Sequence, residues 1–280
     1  MDQAAIVLAG GRSSRMGVAK ADLGWHGEPL VRHLAAVARA GCGGGPVVVV
    51  AAPGQELPPL PAWAEVAEDP VEGRGPLQGI QTGLEALAGR ADIAFVTGCD
   101  VPFLVPAFAA RVLALAEGRD AVVPFARGHR QPLLAAFRVA LAPVAAALLA
   151  DDDRKVGLLL DACDALVADE ALLLADRALA AADPTLRSAE NVNTPEEWEA
   201  ALAVPLSRID VTTYGVARLR ASVERATASA VRLAQAAAAV GLDLDGYVVA
   251  AVNGQQIVAD PLYPLGEGDR VAFLGADAGG

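Results

Sequence analysis

Basic residues are scarce in this chain. Its 22 Lys and Arg face 34 Asp and Glu over 280 residues, a formal net charge of −12. That balance argues against general binding to nucleic acid or to an anionic membrane, which needs a basic face. A nucleotide stays compatible, because its site needs only a few local cations. Cysteine is equally sparse: Cys42, Cys99 and Cys163 are too few and too scattered for a metal cluster or a disulfide framework, which points to a reducing cytoplasm. Aromatics make up 4% of the chain against 54% hydrophobic residues. Such an Ala-rich composition describes a compact protein with small-residue helix packing, not a disordered one. Long apolar runs are missing too. Leu141 to Ala150 is interrupted by Pro143, and no stretch approaches the roughly 20 residues of a spanning helix. With Asp2 at the front and no basic leader before the first strand, no signal peptide is expected.

What the chain does have is concentrated in residues 6 to 20. Ile6, Val7, Leu8 and Ala9 form an apolar run without polar alternation, which suits a strand buried on both faces of a parallel sheet. Gly10 and Gly11 end it, and glycine lets backbone approach a ligand closely. Ser13 and Ser14 add hydroxyl donors, while Arg15 and Lys20 bring cations back towards the turn. Buried strand, glycine turn and cationic side chains together suit a polyphosphate. The spacing is not that of a Walker A loop, since Gly17 is followed by Val18-Ala19-Lys20, nor is it a Gly-x-Gly-x-x-Gly fingerprint. The two serines lack a nearby His/Asp arrangement, so a hydrolase triad is not expected. His26, His33 and His129 show no metal-ligand spacing.

Further along, Leu30, Leu34, Val37 and Ala38 form one helical face ending at Gly41. Val47 to Val50 reads as a second buried strand. A short strand then brings Asp69 to its end, Gln78 to Leu87 reads as helix, and Ile93 to Thr97 as a strand leading to Asp100 and Pro102. Strand and helix alternate with a ligand group at each strand's carboxyl end, the pattern of a doubly wound α/β domain. Ala121 to Pro124 and Leu133 to Phe137 read as strands, and Val144 to Leu149 and Val156 to Leu160 as helices. The charge run Asp151 to Lys155 between those helices reads as a solvated turn. Thr194 and Pro195 suit the N-cap and first position of a last helix. After Val204-Pro205 the style changes. Ile209, Val211 and Thr213 alternate as in a half-buried strand, Thr227 to Val240 reads as a helix, and Tyr247 to Val252 turns at Asn253-Gly254 into Gln255 to Val258. With Val271 to Leu274 and a Gly279-Gly280 end, this predicts a small α+β domain of β-grasp type. The expected domains are therefore residues 1–204 and 205–280.

Leu8-Ala9-Gly10-Gly11-x-Ser13-x-Arg15-Met16-Gly17-x-x-Lys20 resembles the motif of the molybdenum cofactor guanylyltransferase (MobA) family. Cys99-Asp100-Val101-Pro102-Phe103, Gly75-Pro76-Leu77-Gln78-Gly79 and Asn191-Val192-Asn193-Thr194-Pro195 are similar to that family's further motifs, and Gln131-Pro132 is a weaker echo of another. The resemblance spans roughly residues 4 to 203. It implies a Rossmann-like nucleotidyltransferase that moves GMP from GTP to molybdopterin and releases pyrophosphate. Leu8, Ala9, Gly10, Gly11, Lys20, Asp69 and Asp100 would bind the nucleotide. Lys20, Arg15 and Asp100 would act in catalysis, Asp100 would hold Mg²⁺, and Asn191 and Asn193 would lie on the pterin side. A metal of that kind takes one or two carboxylates plus phosphate oxygens. Two positions depart from the family: Ala19 stands where Asp is usual before the lysine, and Val50 where Asn is common after the second strand.

Val252-Asn253-Gly254, Gly268-Asp269-Arg270-Val271 and the terminal Gly279-Gly280 resemble the MoaD/ThiS sulfur-carrier family. That likeness implies adenylation and thiocarboxylation at Gly280, with an E1-like adenylating enzyme and the molybdopterin synthase large subunit as partners. Two other readings stay open: a cytidylyltransferase using CTP on the same pterin, and a sulfur carrier with a degenerate nucleotide-binding domain.

Overall fold

A computed structural model of the chain describes residues 1–10, 19–254 and 256–276. It divides into two compact units, Met1–Ala201 and Leu202–Gly280. In the first, the apolar runs become strands β1 (Gln3–Leu8), β2 (Val47–Ala51), β3 (Ala64–Glu68), β4 (Ile93–Gly98), β5 (Ala121–Ala126), β6 (Leu134–Arg138) and β7 (Ala165–Ala168). Their order across the sheet is β7-β5-β6-β4-β1-β2-β3. β1, β2, β3 and β4 run parallel. β2 and β4 are buried along their whole length, and β1 from Ala4 onwards. Uninterrupted Val, Ile and Ala are what two covered faces require.

The α/β sheet expected from the sequence is present, with one strand reversed: β6 is antiparallel to both β4 and β5. The connection from β5 to β6 spans only residues 127–133, and part of it, His129–Arg130, folds back onto Phe125–Ala126. That is too short for the crossover a parallel return needs. The sheet is parallel-rich but mixed.

The Leu30–Gly41 helix lies where the patterning puts it, with Leu30, Leu34, Val37 and Ala38 buried. The second predicted helix starts slightly earlier than the pattern suggests, at Pro76, and ends at Ala86. It rests on β1 with almost no spacing: a Cβ added at Gly83 would fall 2.7 Å from Ile6 Cγ2. Leu77, Ile80 and Leu84 from this helix join Ile6, Val48, Val96 and Phe137 in the core. The helix Pro106–Leu115, strand β7 and the short helices Glu170–Leu174 and Arg177–Ala182 had no counterpart in the sequence pattern.

The second unit has its own sheet, in the order Arg225–Ser229, Arg208–Thr213, Arg270–Gly275, Val248–Val252, Gln256–Val258. Arg208–Thr213 and Arg270–Gly275 pair in parallel, and the other pairs are antiparallel. Asn253 and Gly254 both take positive φ, 54° and 73°, in the turn that leads from Val252 to its partner Gln256. Leu233, Ala236 and Ala237 of the helix Leu233–Ala239 pack on Ile209, Val211, Val271 and Phe273. The helix expected over Thr227 to Val240 is thus shorter, because Arg225–Ser229 is a strand. Ala226 and Ala228 alternate inwards against this core while their neighbours face out. Alanine's helical preference yields to that ladder. Among the described residues no helix is long and apolar enough to cross a membrane.

Candidate functional site

Parallel strands place their carboxyl ends on one rim, and the predicted site residues follow those ends. Leu8, Ala9 and Gly10 close β1, Asp69 follows β3 and Asp100 follows β4. All of them line one cleft of about 940 Å³, which also takes in Lys20, Gln55 and Gly79. Gly11, Ser13, Ser14, Arg15 and Gly280 lie outside the described residues.

The turn after β1 is fixed by the sheet edge. The Ala9 and Gly10 N–H groups donate to the Val50 carbonyl at 2.9 and 3.1 Å. The Gly10 amide, expected to reach a phosphate, is therefore engaged by β2. Glycine is needed at this position for a steric reason: a Cβ there would stand 3.0 Å from the Ala52 nitrogen. Gln55 pins the same turn, its Nε2 donating to the Ala9 carbonyl at 3.1 Å while its Oε1 accepts from the Ala52 amide at 3.0 Å. Nothing in the sequence marks Gln55, which lies in a Pro-rich loop.

Lys20 heads the short helical turn Lys20–Asp22. Its Nζ donates to Asn193 Oδ1 at 2.9 Å and lies 3.8 Å from Asp100 Oδ2. Residues far apart in sequence thus converge on one ammonium. The Asn191–Asn193 segment is brought there by backbone, since the Val192 amide donates to the Asp100 carbonyl at 2.7 Å. The Asn193 side chain is free for this contact because the helix that follows is capped by others. Thr194 Oγ1 accepts from the Glu197 amide, and the Glu197 carboxylate accepts from the Asn193 and Thr194 amides. This is the reciprocal capping box.

Asp100 also lines a second cavity of about 370 Å³ with His129, Arg130, Gln131, Asn191 and Asn193. Asp100 therefore stands where the two cavities meet, with the Lys20 ammonium beside it. Burial raises the Asp100 carboxyl above the ordinary range, and the Lys20 charge pulls it back. Burial likewise raises Asp69, opposed by a hydrogen bond from Thr82. Cys99 is fully buried, and desolvation followed by the Asp100 charge pushes its thiol far up. That disfavours the thiolate form.

The charged turn after the Ala142–Ala150 helix does more than meet solvent. Asp152 accepts from Arg154 at 3.0 and 2.8 Å and lies 3.4 Å from the Arg74 guanidinium. Arg74 also donates to the Leu149 carbonyl. These contacts tie down the loop from Asp69 to Gly75 that lines the cleft.

Among the described residues no group of three or more His, Cys, Asp or Glu could hold a metal by itself. Asp100 offers one carboxylate at a site open on both sides, with a single ammonium beside it. That donor set fits Mg²⁺, which keeps waters and draws its remaining ligands from substrate phosphates.

Comparison with known proteins is consistent with this geometry. Residues 5–165 match the MobA-like NTP transferase domain family. The chain is 39% identical over 168 residues to a Mycobacterium tuberculosis protein described as a probable molybdenum cofactor guanylyltransferase, covering 58% of this chain and 81% of that one. In structure it is similar to molybdopterin-guanine dinucleotide biosynthesis protein A from Archaeoglobus fulgidus, with a TM-score of 0.55 and 21% identity over 71% of this chain and 96% of that one. A Mycobacterium tuberculosis protein crystallised with manganese shares the fold at a TM-score of 0.50 and 18% identity, covering 73% of this chain and all of that one. The chain belongs to the MobA-like NTP transferase domain family.

Proposed function

We propose that this family member is a molybdenum cofactor guanylyltransferase: it transfers GMP from GTP to molybdopterin and releases pyrophosphate. The observation that carries the reading is the position of Lys20, 2.9 Å from Asn193 and 3.8 Å from Asp100, which stands at the seam of two cavities. The larger one accommodates a nucleoside triphosphate. The smaller, lined by His129, Arg130, Asn191 and Asn193, suits the phosphate-bearing end of the pterin. A phosphate oxygen of the acceptor attacks the α-phosphorus, and the bond to the bridging oxygen of pyrophosphate breaks. Asp100 would hold Mg²⁺, which would supply charge neutralisation on the phosphate oxygens. Lys20 holds a cation beside the same carboxylate and so orients phosphate and acceptor in one frame, while Asp69 faces the nucleotide from the other wall. Arg15 would add a second cation. Positioning and charge stabilisation suffice for this chemistry, with little covalent work for the protein. The whole of residues 1–204 forms the transferase part in this reading.

Guanine selectivity belongs to the proposal, on the strength of Leu8-Ala9-Gly10-Gly11 in the sequence, of which Leu8, Ala9 and Gly10 line the cleft. Purified protein given molybdopterin, Mg²⁺ and each nucleoside triphosphate in turn should release pyrophosphate with GTP and far less with CTP. A preference for CTP would reassign the enzyme as a cytidylyltransferase. At the two positions that depart from the family, Val50 supplies the carbonyl that fixes the β1 turn and lines the cleft. Ala19 leads into Lys20 without a side-chain cap.

For residues 205–280 we propose a β-grasp sulfur carrier. Its support is a mixed sheet with a parallel central pair, the helix Leu233–Ala239 packed on it, and Gly279-Gly280 in the sequence. The Gly280 carboxylate would be adenylated by an E1-like enzyme with ATP, and sulfur from a donor would displace AMP. Intact mass after incubation with such an enzyme, ATP and a sulfur donor should rise by one oxygen-to-sulfur exchange. An unchanged mass would remove this role.

A further inference from the structure

Behind Asp69 runs a partly buried polar chain through Thr82, Gln78 and Gln81. The Asp69 amide donates to the Ala51 carbonyl at 2.9 Å, which fixes where its side chain begins. Thr82 Oγ1 then donates to Asp69 Oδ1 at 2.8 Å. Gln78, one helical turn before Thr82, donates through Nε2 to Gln81 Oε1 at 2.9 Å and to Thr82 Oγ1 at 3.4 Å. Gln78 and Gln81 are only 4% and 7% exposed, so they have little water to turn to. A hydroxyl carries a single proton. With Gln78 donating to it, the Thr82 proton is directed at Asp69, and each bond in such a chain strengthens the next.

Asp69 itself lines the cleft. Oδ2 stands 3.7 Å from the point where a Cβ on Gly79 would sit, a point also bordered by Leu8 and Val50. All four residues line the cleft. Burial works against the charge on Asp69, and the Thr82 bond is the interaction that favours it.

We infer that Thr82 is a positioning residue for nucleotide binding: its hydroxyl holds one oxygen of Asp69 so that the other faces the nucleotide. The inference rests on the reading of Asp69 as a nucleotide-facing group. Thr82→Val keeps the branched shape and removes the donor. The Kd of GTP with Mg²⁺, read by calorimetry, should weaken about tenfold, the scale of one charge-assisted hydrogen bond. The KM for GTP should rise in step while kcat changes little, and Thr82→Ser should restore both. Coupling is the sharper test. In an Asp69→Ala background, Thr82→Val should cost less than about twofold more, because the partner through which it acts is gone. Thr82→Ala gives a second donor-free variant should the valine variant melt early. An unchanged Kd in both donor-free variants, or a full penalty repeated on top of Asp69→Ala, would overturn the role of Thr82. A wild-type Kd in Asp69→Ala alone would instead remove Asp69 from the nucleotide site, and this inference with it.

Discussion

Asp100→Asn should lower kcat/KM for nucleotidyl transfer by about 10²–10³-fold, the range seen when one preorganised charge-stabilising group is removed, with no loss of thermal stability. Both halves follow from the surroundings of this carboxylate. It fronts both cavities and lies 3.8 Å from the Lys20 ammonium. Asparagine keeps the shape but offers a metal or a phosphate no negative charge. On stability the sign is set by burial, the largest influence on this group, which raises its folded pKa above the unfolded value. A carboxyl so raised disfavours the fold once ionised, at any pH above its unfolded range. A neutral amide therefore relieves a cost at neutral pH. Lys20 keeps its bond to Asn193. Pyrophosphate release with GTP, molybdopterin and Mg²⁺, set beside a thermal melt, checks the two statements together. Wild-type turnover in this variant would end the assignment of the site.

Lys20→Ala should be as damaging, for a different reason. It removes the cation that neighbours Asp100 at 3.8 Å and the donor that holds Asn193 at 2.9 Å, so both cavities lose a fixed point. A loss of about 10²–10³-fold in kcat is expected. Lys20→Arg should recover little of it, because a planar fork is not a compact ammonium on a flexible stem. Groups that act as a unit are strongly non-additive. The double variant Lys20→Ala/Asp100→Asn should thus fall only slightly below either single one. Measured kcat values for all four proteins decide this. Multiplicative losses would mean that the two residues work independently.

Much of this site was legible because strand ends are legible. Ile6 to Ala9 and Val47 to Val50 carry no alternation, which marks burial on both faces, and the residues just past such strands fall on one rim by parallel pairing. Lys20, Asp69 and Asp100 were found that way and by motif. Direction was not legible: the apolar run Leu134–Arg138 reads the same in either sense, and only the short loop from β5 forces it to be antiparallel. Alanine misled at Arg225–Ser229, where inward alternation outweighs helical preference. Gln55, Thr82 and Asp152 act on partners from other segments, and no local pattern announces such meetings. Asp152 in particular sits in a charge run that looks like ordinary surface, and its use appears only once Arg74 is beside it.

One acidic side chain faces both chambers. A molecule settling in the first chamber alters the electrostatic wall presented to the second, and linkage makes that influence mutual. If GTP eases the entry of its acceptor by some factor, the acceptor must tighten the hold on GTP by the same factor. If nucleotide and acceptor occupy the two chambers as proposed, their binding is linked at the residue that both chambers share.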